Sequence, residues 1–151
     1  MNEIRHSSII AAAPEVVSAA LTEPAQLARW WTREVRREGQ QIRLDWPHHG
    51  WWAELILDAG ADHRLACWRC RRADLFDSTA WAGTVLRFAL VSIGQGTRVD
   101  LVHSSDCAIP ALARCARSWR LLLDVSLKRH VELGHGLPYP DILAICAPAT
   151  G

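Results

Sequence analysis

Residues 109–134 read IPALARCARSWRLLLDVSLKRHVELG, and this stretch decides the fold. Leu112, Cys115, Trp119, Leu122, Leu123, Ser126, His130 and Leu133 recur at steps of three and four, which places them on one helical face. Arg114, Arg117, Arg120, Asp124, Lys128 and Glu132 fall mostly elsewhere on the wheel. Pro110 suits a first helical turn, where its missing N–H costs nothing. Gly134 supplies the left-handed residue on which helices commonly end. At 1.5 Å per residue such a helix spans roughly 37 Å, the width of a small domain. A long apolar surface must lie beneath it, either solid core or the wall of a cavity.

Upstream the pattern is different. Residues 3–12 favour extended structure around Ile9 and Ile10. Ala13-Pro14-Glu15 opens a helix with the apolar stripe Val16, Val17, Ala20 and Leu21. Thr22-Glu23-Pro24 breaks it and starts a second, with Leu27, Trp30 and Trp31 on its apolar side. From Val35 to about Ser105 the periodicity becomes that of strands. Expected strands run over 41–45, from Trp51 with Ala53, Leu55 and Leu57 on one face, over 64–72, over 81–92, and over 97–104. Turns at 46–50, 60–62 and Gly94-Gln95-Gly96 separate them, the last a tight hairpin. Short strands at near-regular spacing form an antiparallel meander. With one long amphipathic helix against it, this is a two-layer α+β domain. No repeat or linker divides the 151 residues, so a single domain over 1–151 is expected, with 136–151 as a C-terminal tail.

Composition narrows the function. A net charge of +1 gives no reason to expect nucleic acid or an anionic membrane as partner. Charged residues or proline interrupt every apolar run before membrane-spanning length. Residues 1–15 do not make a convincing signal peptide, and the five cysteines are an odd number, so a cytoplasmic protein with free thiols is expected. The unusual number is eight tryptophans against two phenylalanines and one tyrosine. Trp suits both core edges and the walls of apolar pockets.

The order of elements, and three segments in particular, resemble one superfamily. IIAAAPEVVSAALTEPAQLARWW (9–31) resembles the opening of START-like, or SRPBCC, proteins, although AAAPEVV lacks a second proline often seen there. WAGTVLRFAL and GQGTRVDLVH (81–103) resemble the paired strands late in their sheet. SWRLLLDVSLKRHVELGHG (118–136) resembles the terminal helix of the branch related to heat-shock-protein ATPase activators and polyketide cyclases. The resemblance implies a helix-grip fold: a curved antiparallel sheet wrapped around the long C-terminal helix, two short helices after the first strand, and an apolar cavity between sheet and helix. Proteins of this kind bind or transform small hydrophobic molecules, and function resides in the cavity rather than the fold.

Candidate residues follow. Trp31, Trp52, Trp68, Trp81, Phe88, Leu101, His103, Trp119, Leu123 and His130 are expected at the wall of a cavity holding a small hydrophobic or aromatic ligand. His103 and His130 are the candidates for acid–base work in an alternative reading as a cyclase or dehydratase, although satisfied histidines are the plainer interpretation. A protein-interaction role, as in the chaperone-activator branch, is the third reading, and the apolar run 142–146 is a possible surface for a homodimer. Cys67-Trp68-Arg69-Cys70 has metal-like spacing, but in a strand residues three apart point to opposite faces and no second pair accompanies them. The pair is read as structural. His48-His49 is read as a solvated turn, and the clusters Arg33, Arg36, Arg37 and Arg69, Arg71, Arg72 as exposed faces. No nucleophile motif and no phosphate loop occurs, so no metal or cofactor is expected.

Overall fold

The computed structural model describes residues 2–60, 62–75, 79, 81–105 and 112–144. Strand β1 (Asn2–Ile10) leads into two helices, α1 (Pro14–Thr22) and α2 (Pro24–Trp30). Six strands follow: β2 (Glu34–Glu38), β3 (Gln41–Trp46), β4 (Trp51–Ala59), β5 (Leu65–Asp74), β6 (Val85–Ile93) and β7 (Gly96–Ser105). They form one curved, open, antiparallel sheet in the order β1-β7-β6-β5-β4-β3-β2. A continuous helical rod then runs through α3 (Leu112–Leu121), a π-helical stretch (Leu122–Leu127) and α4 (Lys128–Leu133). This is the expected α+β helix-grip architecture.

Local chemistry explains the early elements. Pro14 and Pro24 each occupy the start of a helix, where a missing N–H is harmless. Glu23 between them is extended, as a residue before proline prefers, so the two helices cannot merge. In β6 and β7 the alternation is clean. Leu86, Phe88 and Leu90, with Val99, Leu101 and His103, all point inward and are buried.

The structure departs from the expected pattern in four places. Residues 34–38 form a separate edge strand, β2, which pairs with β3 despite three charges in five residues on exposed positions. Trp81–Gly83 is a turn rather than the start of β6, because Gly83 at φ +85° turns the chain there. A bulge between Glu54 and Leu55 interrupts the β4–β5 register, and Glu54 is buried on the face expected to be polar. In the C-terminal rod the π stretch adds residues per turn, so an apolar stripe drawn at strict α spacing drifts out of phase. Leu127, off that stripe, is buried, whereas Leu133, on it, is 64% exposed. Gly134 ends the rod in the left-handed conformation as expected, its N–H donated to the His130 carbonyl. The expected start at Pro110 lies outside the described residues.

The tail folds back on its own chain. The Leu137 N–H donates to Ser126 Oγ, which itself donates to the Trp30 carbonyl. Tyr139 pairs with Thr32 as a parallel bridge, donating its N–H to the Trp31 carbonyl and accepting from the Arg33 N–H. Arg33 also ion-pairs with Asp141. The distal part of the run 142–146, beyond residue 144, is outside the described residues. Gly136 allows this crossing: a Cβ there would stand 2.7 Å from the Arg29 carbonyl oxygen, 2.8 Å from that of Ser126 and 3.0 Å from Trp30 Cβ. Two of these obstacles are backbone and cannot rotate aside. Gly136→Ala is therefore expected to destabilise the fold by about 1–3 kcal/mol in urea unfolding, the usual cost of overpacking. An unchanged midpoint would mean that the tail docks more loosely than its contacts indicate.

Candidate functional site: a tryptophan-lined cleft

Six tryptophans pack into one contiguous group. Trp31 stacks on Trp68 with ring centroids 4.8 Å apart and planes 13° from parallel. Trp30 stacks on both, while Trp46 meets Trp31 edge-on at 5.5 Å. Trp119 contacts Trp31 at 5.6 Å and Trp68 at 5.9 Å, and Trp81 extends the group through Trp119 at 6.3 Å. Offset and tilted arrangements at such separations are those that aromatic quadrupoles favour. The indole N–H groups of the innermost rings are satisfied by backbone, Trp30 to the Ala20 carbonyl and Trp68 to that of Leu21.

A cleft of about 440 Å³ remains beside this group. Trp31, Trp46, Trp81 and Trp119 line its apolar side, with Leu75, Cys115, Leu122 and Ile142. The positions come from distant parts of the chain: the ends of α2, β3 and β5, the turn before β6, the face of α3 running into the π-helical stretch, and the tail. Its rim carries the polar groups, His49, Arg117, Ser118 and Tyr139, beside Trp51, Leu121 and Leu143. The His49 ring lies on Trp51 at 4.4 Å, and its Nδ1 is 2.9 Å from the Tyr139 hydroxyl. Burial pushes the Tyr139 phenol up from its ordinary pKa, so it stays protonated at neutral pH. The volume and the mix of apolar walls with few polar groups match a small-molecule pocket.

Of the residues expected at the wall, Trp31, Trp81 and Trp119 line this cleft. Trp68, Phe88, Leu101 and Leu123 are fully buried behind it as core, because the tryptophan layer covers them. Trp52 lies on the other face of the sheet. It alternates with the inward Ala53, and the Arg43 guanidinium sits 4.2 Å over its ring, with Arg72 at 5.9 Å. The same arginines hold Glu54, Arg72 at 2.7 Å and Arg43 at 3.5 Å, and keep its carboxyl below the usual range. Arg72 is exposed, as expected, and also belongs to an ion-pair network.

His103 is one layer behind the cleft, fully buried between Trp81 and Trp119. Its hydrogen bonds fix its state. The Trp119 indole N–H can only donate, and it reaches His103 Nδ1 at 3.4 Å. Nδ1 must accept, so the proton sits on Nε2 and is donated to Thr84 Oγ1 at 3.1 Å. Thr84 Oγ1 donates its own hydrogen bond to the Trp81 carbonyl at 2.7 Å. Burial lowers the His103 pKa to about 4, in keeping with a neutral ring. With both nitrogens committed inward, His103 orients the two tryptophans of the wall. His130 is at the junction of α2 and α4, its Nε2 2.9 Å from Gln26 Oε1, and is absent from the lining. Burial, then the nearby Arg29, lowers its pKa too.

His49, Tyr139, Arg117, Trp46 and Trp51 are among the lining residues that pattern reasoning missed. Trp46 and Trp51 flanking a turn with two histidines is the signal that pointed there. Exposure of the turn made a solvated loop the natural reading, and exposed it is, but His49 also forms rim. Tyr139 gives no periodic signal, since a tail wedged against α2 follows tertiary contacts alone. Cys67 and Cys70 point to opposite sides of β5, half-exposed and buried respectively, and both thiols are free. Among the described residues no group of three metal-ligating side chains occurs, and no helix is long and apolar enough to cross a membrane.

An open, curved antiparallel sheet gripping a C-terminal helix is the helix-grip fold. Residues 11–132 match the family model described as activator of Hsp90 ATPase homolog 1-like protein, and the chain belongs to that family. Its structure is similar to the Aha1 dimer from Colwellia psychrerythraea, at 27% identity and TM-score 0.73, over 90% of this chain and 100% of the other. It also resembles DynU16, a protein of the dynemicin biosynthetic locus, at 17% identity and TM-score 0.67, over 90% of this chain and 49% of the other. CalU16 from Micromonospora echinospora follows at 20% identity and TM-score 0.57, over 80% and 71%. No curated protein matches the chain.

Proposed function

We propose that this protein binds a flat, largely apolar small molecule in the tryptophan-lined cleft. One observation carries the reading: five large indoles border a space of about 440 Å³ instead of filling it. Open apolar surface in water is unfavourable, by about 25 cal/mol per Å², and a ligand that covers it recovers that energy. Ser118 is half-buried on the rim, so Ser118→Trp would fill the mouth without disturbing the core. Native mass spectrometry of the purified protein, followed by tryptophan quenching with aromatic and lipid-like probes, tests the reading. Saturable quenching is expected in the parent protein and at least a tenfold weaker response in Ser118→Trp, at unchanged melting temperature. Quenching that the variant leaves intact would place the ligand elsewhere.

A second reading, chaperone-activator-like protein interaction, is favoured by the family match and by the name of the Colwellia protein. That protein is a dimer, which makes self-association a reading for this chain as well. Either would be insensitive to Ser118→Trp. A cyclase-type activity would draw on His49 and Tyr139, the imidazole and phenol that line the cleft, in place of His103 and His130.

A further inference from the structure

We infer that the ligand carries an acidic group, a carboxylate or an equivalent delocalised oxyanion, and that Arg117 at the rim of the cleft receives it. The inference rests on the cleft being a ligand site and adds the chemistry of that ligand. Three observations converge. Arg117 is the sole formally charged side chain among the described residues that line the cleft, and no carboxylate is among them. Elsewhere on the molecule seven arginines ion-pair, Arg5, Arg33, Arg36, Arg43, Arg64, Arg72 and Arg98, whereas others, such as Arg37, Arg69 and Arg120, stand on exposed positions away from the cleft without a carboxylate partner among the described residues. Arg117 also has no ion-pair partner among the described residues, and it lines the cleft two residues before Trp119 and next to Ser118.

The surroundings then select the ligand. A guanidinium offers a planar fork that matches two oxygens of a carboxylate, and it cannot give up its charge. Tyr139 and His49 add a hydroxyl and an imidazole to the same rim, joined at 2.9 Å. Asp141, the acid nearest in sequence to the tail's part of the rim, is occupied by Arg33, and among the described residues no acid lines the mouth. A cationic ligand would meet Arg117 with no compensating carboxylate among the lining residues. A flat aromatic acid satisfies both halves of the cleft, ring against indoles and carboxylate against Arg117.

The test compares 2-naphthoate with 2-naphthamide, which share a ring system and differ in charge, by tryptophan quenching at neutral pH and low salt. Naphthoate is expected to bind about tenfold more tightly, and added salt to shrink the difference. Arg117→Gln is expected to abolish the preference by weakening naphthoate alone, while Arg120→Gln, an equal change of charge on an exposed position of the same helix, leaves it in place. Equal binding of the two probes, or a preference that survives Arg117→Gln, overturns the inference and leaves the cleft as a site for neutral ligands. Failure of both probes to bind overturns the cleft as a ligand site and the inference with it.

Discussion

Replacing Trp68 by alanine is expected to lower the unfolding free energy by about 3–5 kcal/mol, the cost of truncating a large buried aromatic. The ring is fully buried and touches Trp30, Trp31, Trp119 and Phe88, the last at 4.6 Å. Its N–H also satisfies the Leu21 carbonyl at 2.7 Å, which would be left without that donor. Domains of this size have only about 5–15 kcal/mol in total, so the variant should populate unfolded chain at mild urea concentrations. Trp68→Phe keeps most of the apolar volume and loses the hydrogen bond, and a smaller loss of about 1–3 kcal/mol is expected. Urea titration of all three proteins decides the matter. A loss below about 1 kcal/mol for alanine would mean that the neighbouring indoles collapse into the gap, and that the group is less rigid than its stacking suggests.

The second large effect is with acid. His103 has a pKa of about 4 in the fold against 6.5 for an ordinary histidine. Between those values the unfolded chain takes up a proton that the folded chain refuses, so stability rises with pH across the interval. The contribution is complete above about pH 6.5 and disappears as pH falls toward 4. Its full size is roughly 3 kcal/mol at 1.36 kcal/mol per unit. His130, whose pKa is also lowered, acts in the same direction. Glutamine at 103 can accept from Trp119 and donate to Thr84 as the imidazole does, without titrating. His103→Gln is therefore expected to retain much of the neutral-pH stability and to flatten the slope between pH 6.5 and 4. An unchanged slope would assign the acid sensitivity to other groups.

Much of this architecture is legible in local chemistry. Pro14 and Pro24 set two helix starts, Gly134 sets a helix end, and period-two runs set the inner faces of β6 and β7. The misplacements share a cause, which is that they depend on contacts distant in sequence. Glu54 is buried because Arg43 and Arg72 cover it across two neighbouring strands, and no window around Glu54 contains both. The π stretch shifts the helix face by a geometry that hydrophobic spacing does not encode. Trp52 sits in a strand where both faces carry tryptophan, Trp51 and Trp52, so periodicity cannot say which points inward. The rim depends on Tyr139, placed by a tail that zips onto Trp31 and Arg33. Its placement requires Gly136, and a glycine between a helix and two prolines reads first as a simple turn.

The connected tryptophans have an optical consequence. Six of the eight indoles are linked by centroid separations of no more than 6.3 Å, so excitation absorbed by one can migrate to the others before emission. A molecule that meets only Trp119 at the cleft would then dim Trp30 and Trp68, which it never touches. Near-ultraviolet circular dichroism should likewise carry the signature of coupled rings, and lose it as a unit when the packing is broken.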